Sequence, residues 1–147
     1  MLAYKAHKVF AIGAFVTIVI FWTSTLIVEL FFDYKSIALI KSLIVFPGLF
    51  ILVLTIAITG ITGNIIAKKS KKEELIKVKK KRMPIIAFNG VVILIPCAIY
   101  LNILASNGTF NNIFYGIQVL ELLAGATNIT LMFLNIRDSK KNQVSFS

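Results

Sequence analysis

Cysteine, histidine and acidic residues are scarce in this chain of 147 residues. A single cysteine, Cys97, excludes a disulfide within the chain, and a single histidine, His7, excludes a metal site built from histidines alone. The sequence also lacks the Cys-x-x-Cys, Gly-x-Ser-x-Gly and His-Glu-x-x-His motifs and the glycine-rich phosphate loop. These absences favour a protein without enzymatic activity, without a metal and without another cofactor.

Long apolar stretches fill most of the chain, and hydrophobic residues make up 58% of it. Residues 9–32, 37–67, 83–105 and 113–136 each reach the length of about 20 residues that a helix needs to cross a bilayer. The first stretch is longer than the core of a signal peptide, so we expect an uncleaved helix. The sequence therefore predicts an all-α integral membrane protein, a four-helix transmembrane bundle forming a single domain over residues 1–147.

Positive charge marks some connections between these stretches and avoids others. Nine of the sixteen Lys and Arg residues lie in the second connection, 68–82, and others flank the two termini, whereas the first and third connections are nearly neutral. This pattern predicts a basic cytoplasmic loop, two cytoplasmic termini and a place in the inner (plasma) membrane of the cell. The lipid bilayer is the expected partner, with anionic headgroups beside the loop. We expect no nucleic acid, because no aromatic residues interleave with the charge.

Polar residues recur at steps of three and four in the fourth stretch, which places them on one helix face. The face consists of Gln118, Glu121, Gly125, Asn128, Met132 and Asn135. It should turn into the bundle or towards a partner, because a charged side chain deep in lipid costs about 2.5–3.5 kcal/mol. Glu121 therefore needs either a proton or a positive partner. Lys41 is the candidate partner, since it lies at the same outer level of the second stretch.

Two groups of candidate site residues follow from this placement. The first is a ligand or proton pocket formed by Glu121, Gln118, Lys41, Glu29 and Asn128. Alternatively, Glu29 and Lys41 extend to the headgroups, and Glu121 only packs helices through a hydrogen bond. The second is an inner polar cluster at the opposite end, formed by Asn89, Asn135, Arg137 and His7, for which solvation by water is the alternative.

Three classes of function are compatible with these features. The first is a non-enzymatic accessory protein, or a binder of lipid or of a small ligand, that uses the polar face of the fourth helix, alone or in a larger membrane complex. The second is a proton-coupled small transporter or an ion-conducting homo-oligomer, in which Glu121 takes up and releases a proton. The third is a haem-binding membrane redox protein.

The third class rests on the segment Tyr4-Lys5-Ala6-His7 at the start of a four-pass chain. Over about the first 15 residues, this segment resembles the membrane-bound, haem-associated protoporphyrinogen oxidase family. The resemblance implies haem as a cofactor and His7 as a candidate axial ligand. The chain departs from that family because it has no second histidine, lacks the basic residues after the first helix and does not match in the third and fourth helices.

Overall fold

The computed structural model describes residues 2–69 and 73–144, and the side chains of residues 2–69 and 81–138. Nearly all of these residues are helical, and no strand occurs among them. Helix α1 is Leu2–Phe31 and helix α2 is Tyr34–Lys69. Helix α3 covers residues 73–106, with Lys81–Ser106 as its apolar part, and helix α4 is Asn112–Val144.

All four helices are long and apolar enough to cross a bilayer. Their outer faces expose large aliphatic and aromatic side chains, such as Leu30 and Phe46, which are 70% and 74% exposed. Side chains of this kind are stable against lipid and costly in water. The prediction of an all-helical chain with four helices of membrane-spanning length is therefore confirmed.

The helices extend further than the apolar stretches indicate. The predicted loop 68–82 contains the last two residues of α2, Lys68 and Lys69, and the first turns of α3, which begins at Glu73. Residues 70–72 lie outside the described part. Helix α4 likewise continues past residue 136 to Val144. Lys and Glu are good helix formers, so a helix continues through a charged segment after its apolar part has ended.

Side-chain and backbone bonds close the two short connections between helices. Asp33 accepts hydrogen bonds from the Ser36 backbone N–H at 3.0 Å and from its hydroxyl at 2.6 Å, and thereby caps α2. The hydroxyl bond and then the backbone bond hold the pKa of the exposed Asp33 below its ordinary value of 3.8. Gly108 ends α3 with a φ of 68°, and the Asn111 side chain accepts from the Phe114 N–H at the start of α4.

These two connections lie at one end of the bundle, here called the neutral end. The start of α1, the end of α4, the end of α2 and the start of α3 lie at the other, the basic end. Around the bundle, α1 packs against the second half of α2 and against α4, the first half of α2 packs against the last part of α3, and α3 packs along α4. The helices thus form a closed ring in chain order.

Two helices depart from regular geometry near the middle of the bundle. Helix α2 is interrupted at Ile44–Gly48, where Phe46 has extended backbone angles and Pro47 follows. Helix α3 has a widened turn at Asn89–Leu94, where the Ile95 N–H bonds to the carbonyl of Gly90, five residues earlier. Such wide turns are rare in helices and are frequent near functional sites.

Two apolar clusters form the interior and leave a polar layer between them. The cluster nearer the neutral end contains Val28, Ile37, Leu101, Ala105 and Phe114. The central cluster contains Ala14, Ile18 and Leu52, with partly buried residues of all four helices packed around them. Position 25 of α1, 41 of α2, and 118 and 121 of α4 fall between the two clusters in their helices, and position 29 of α1 follows directly on Val28 of the first cluster. This layer contains the candidate site.

Candidate functional site

Lys41 lies at the centre of a buried charged cluster, which we define as Lys41, Glu29, Gln118 and Glu121. Its side chain is only 1% exposed. The Lys41 ammonium donates to Gln118 Oε1 and, at 3.1 Å, to Glu121 Oε2, and it lies 3.6 Å from Glu29 Oε1. The structure therefore brings together four of the five residues predicted for the pocket.

Gln118 connects the cation to the anion within the charged cluster. While its oxygen accepts from Lys41, its amide nitrogen donates to Glu121 Oε2 at 3.0 Å. Gln118 and Glu121 are three residues apart, so they lie on the same face of α4. Gln118 is only 2% exposed, which matches a role in fixing the orientation of both charged groups.

The charges of the cluster do not balance when both carboxylates are ionised. Two carboxylates then face one ammonium. Within the described part of the chain, Glu29 Oε1 is buried and accepts no hydrogen bond. Its side chain is 14% exposed, similar to the 13% of Glu121. An uncompensated charge inside a membrane costs about 2.5–3.5 kcal/mol, so the excess negative charge favours a positive ligand or a proton.

Apolar and aromatic residues close the cluster on the side of the neutral end. Phe114 and Leu101 are fully buried there. The ring of Phe110 stacks on Tyr34 at 4.3 Å and meets Phe114 edge-on at 4.9 Å. The sequence left open that Glu29 and Lys41 extend to the headgroups. The structure instead encloses the cluster, because α2 directs Lys41 inwards beneath this aromatic cover.

A cavity of about 50 Å³ adjoins the cluster on its inner side. Glu121 forms a polar part of its wall and Trp22 an aromatic part. Thr25, which is 3% exposed, lies beside them. The remaining wall is apolar and comes from all four helices, with Ile18, Phe21, Ile44, Leu49, Leu52, Leu94, Ala98, Leu122 and Gly125. Glu121 is thus the one acidic side chain among the described residues that line this cavity.

Trp22 is held in the cavity wall by a hydrogen bond and by close packing. Its indole N–H donates to the carbonyl of Leu122 at 2.9 Å. A Cβ atom on Gly125 would come within 2.9 Å of the indole Cδ1, so only glycine fits here without a shift. Sequence reasoning placed Gly125 on the inner face of α4 but missed Trp22 and Thr25 as site residues. No periodicity marks them in α1, which is apolar on all sides.

Asn128 was predicted in the pocket, but it bonds to α3 instead. Asn89 donates to Asn128 Oδ1 at 2.9 Å and to the carbonyl of Ala124 at 2.8 Å. Asn128 in turn donates to the carbonyl of Ile86 at 3.3 Å. Each of the two amide side chains therefore donates a hydrogen bond to a backbone carbonyl of the other helix. Asn128 lies two turns beyond Glu121, which separates the two residues by about 10 Å along α4.

The residues predicted for an inner polar cluster belong to separate groups. Asn89 is part of the α3–α4 amide pair. Asn135 accepts from Arg82 at 3.2 Å. Arg82 also pairs with Asp138 at 2.8 Å, and the exposed Arg137 contacts the other oxygen of Asp138. These contacts join Asn89 to α4 and Asn135 to Arg82, while Arg137 contacts Asp138.

His7 bonds to α2. Its Nδ1 lies 3.0 Å from the Thr59 carbonyl and 3.2 Å from the Thr62 hydroxyl. A carbonyl only accepts, so the bond to Thr59 requires a hydrogen on Nδ1. In the described part of the chain, no three His, Cys, Asp or Glu side chains are grouped to hold a metal ion. Haem ligation by His7 stays a prediction.

Comparison with protein-family models, with curated proteins and with solved structures finds no match for this chain.

Proposed function

We propose that this chain is a non-enzymatic membrane protein that binds a small organic cation inside the helix bundle, at Glu121. The observation that carries the proposal is the cavity beside Glu121, within a cluster where two carboxylates face one ammonium. Gln118 and Lys41 both bond to Oε2 of Glu121. Both of these bonds are made to one carboxylate oxygen, so we assign the other oxygen, Oε1, to the ligand.

The cavity wall supports a cation with a short apolar body. Trp22 offers an aromatic ring, which attracts cations through its π face, and the other walls are mainly aliphatic. A cavity of about 150 Å³ accommodates benzene. The cavity here, at about 50 Å³, has a third of that volume and suits an alkylammonium ion of one or two carbons.

Binding of ethylammonium to the purified protein in lipid nanodiscs, measured by calorimetry, tests this proposal. Glu121→Gln should weaken binding about tenfold or more, because it removes a charged hydrogen-bond acceptor from the cavity. Thr127→Ala is the matched control, since Thr127 is exposed on the same helix and bonds only to the carbonyl of Leu123. Absence of binding, or equal affinity in the wild type and Glu121→Gln, would refute the proposal.

A second candidate function is proton-coupled transport, and the spacing of polar groups along α4 favours it. Buried or half-buried polar side chains occur at Glu121, Asn128 and Asn135, at intervals of about 10 Å. Apolar residues such as Met132 separate them, so passage requires movement of the helices. In proteoliposomes, an ethylammonium gradient should then drive proton flux that Glu121→Gln abolishes. Flux that is unchanged by this substitution would exclude Glu121 from transport.

We also infer that the basic end faces the cytoplasm across the inner (plasma) membrane. Exposed Lys5, Lys8, Lys68 and Lys69 at this end support the inference, because cytoplasmic ends carry the excess of Lys and Arg. In a Cys97→Ser background, a maleimide that cannot cross membranes should label Ser106→Cys on intact cells and leave Lys8→Cys unlabelled. The reverse pattern would overturn the orientation.

A further inference from the structure

We infer that the charged cluster holds one exchangeable proton, on Glu29, and that a cation bound at Glu121 displaces it. The second half of this inference rests on the function proposed above. The first half rests on geometry alone and is independent of any ligand. Sequence reasoning assigned the exchangeable proton to Glu121, whereas the contacts within the cluster favour Glu29.

The hydrogen bonds of Lys41 distinguish the two carboxylates. A lysine ammonium has three N–H donors. Two of them point to Gln118 and to Glu121, where the distance to Oε2 is 3.1 Å. Glu29 Oε1 is 3.6 Å away, too far for a good hydrogen bond. Glu121 Oε2 also accepts from Gln118. Glu121 is therefore stabilised as the ionised partner of Lys41.

Glu29 has fewer of the contacts that stabilise a carboxylate than Glu121 has. Its Oε1 is fully buried and has no hydrogen-bond donor among the residues with described side chains. The charged and titratable groups that face it are Lys41 from α2 and Glu121 and Tyr115 from α4. Tyr34 of α2 lies beside Tyr115, and Cys97 of α3 faces Glu121. Of these groups only Lys41 is positive, and it is already engaged by Glu121.

Charge balance links this proton to ligand binding. Without ligand, protonated Glu29 is neutral, and the positive charge of Lys41 balances the negative charge of Glu121. When a monovalent cation binds at Glu121, the cluster would become positive. Release of the proton from the Glu29 carboxyl to water leaves a second carboxylate, which restores neutrality. One proton thus leaves for each cation that enters, and no oxidant or other reactant is required.

Infrared spectroscopy of the ligand-free protein in nanodiscs tests the first half. Among the six acidic residues of the chain, Glu29 and Glu121 lie in the charged cluster, whereas Asp33 lies between α1 and α2 and Asp138 lies at the end of the last apolar span. A protonated-carboxyl C=O band should therefore be present at neutral pH. It should disappear in Glu29→Gln, which imitates the protonated acid and so should fold, and stay at its wild-type frequency in Glu121→Asp, which keeps the negative charge beside Lys41. If the wild type shows no such band, the inference is wrong, and this result needs no variant. If the band persists in Glu29→Gln, the inference is also wrong.

Calorimetry with ethylammonium in buffers of different ionisation enthalpy tests the second half. The wild type should release one proton per cation bound, and Glu29→Gln should bind more weakly and release none. Binding without proton release, or equal release in Glu29→Gln, refutes the coupling while leaving the proposed function intact. If ethylammonium does not bind at all, the proposed function fails and the coupling with it, whereas the infrared result still decides where the proton lies.

Discussion

The contact between Trp22 and Gly125 predicts a large difference between two glycine-to-alanine substitutions in the same helix. At Gly125 a new Cβ would lie 2.9 Å from the indole Cδ1, whereas ordinary contacts begin at 3.4 Å. The indole therefore has to move by about half an ångström or more. Its N–H bond to the Leu122 carbonyl ties it to the same segment of α4, so the ring cannot move away without weakening that bond.

The size of the effect follows from these two contacts. Overpacking an interior typically costs about 1–3 kcal/mol. Loss of the indole hydrogen bond adds about 0.5–1.5 kcal/mol. Gly116 is the matched control, because a Cβ there meets nothing within 4 Å. Both substitutions gain the same helix propensity, so Gly125→Ala should be about 1.5–4.5 kcal/mol less stable than Gly116→Ala.

Tryptophan fluorescence gives a direct readout of this contact. Trp22 is the sole tryptophan of the chain, so emission reports its surroundings without interference. Gly125→Ala should shift the emission spectrum and lower the thermal unfolding temperature in nanodiscs, whereas Gly116→Ala should keep the wild-type spectrum. If the two variants show the same emission and the same unfolding temperature, the indole does not pack on Gly125, and the cavity wall described above is incorrect.

Two further predictions concern charged residues. Lys41→Met should destabilise the protein by about 3–5 kcal/mol, because it leaves the Glu121 carboxylate without its cation, and added Glu121→Gln should recover part of this loss. Thermal unfolding checks it against Lys35→Met at an exposed site, and equal stability of the two lysine variants would contradict it. For Asp33, the lowered pKa means that its contribution is complete above the ordinary value of 3.8 and is lost as the pH falls through the lower, folded-state pKa. Asparagine at position 33 can still cap α2, so the unfolding temperature of Asp33→Asn should fall less than that of the wild type as the pH drops below 3.8. If the unfolding temperatures of the two proteins fall in parallel with pH, Asp33 does not contribute.

The sequence allows prediction of the features that depend on position along one helix. Four long apolar helices follow from the length of the apolar stretches. The inward face of α4 follows from the three- and four-residue spacing of Gln118, Glu121 and Asn128. The meeting of Lys41 with Glu121 could be expected because both lie at a similar depth from the neutral end.

Features that depend on the rotation of one helix against another were not predictable. Asn89 and Asn128 lie 39 residues apart, and only the packing of α3 on α4 shows that they pair with each other rather than with the charged residues. The same holds for Trp22, whose partner Leu122 is 100 residues away and contributes a backbone atom. The break in α2 adds a further change of direction after Ile44, which spacing along the chain does not contain.

The amide exchange between Asn89 and Asn128 fixes the sliding register of α3 relative to α4. A shift of one helix by a single turn would break the bond to the Ala124 carbonyl and the bond to the Ile86 carbonyl at the same time. The hairpin formed by α3 and α4 thus moves as one rigid half of the bundle. Glu29 and Lys41 belong to the first hairpin and Glu121 to the second, so the ion pairs bridge the seam between the halves. A movement of one hairpin against the other therefore changes the distance between Lys41 and Glu121.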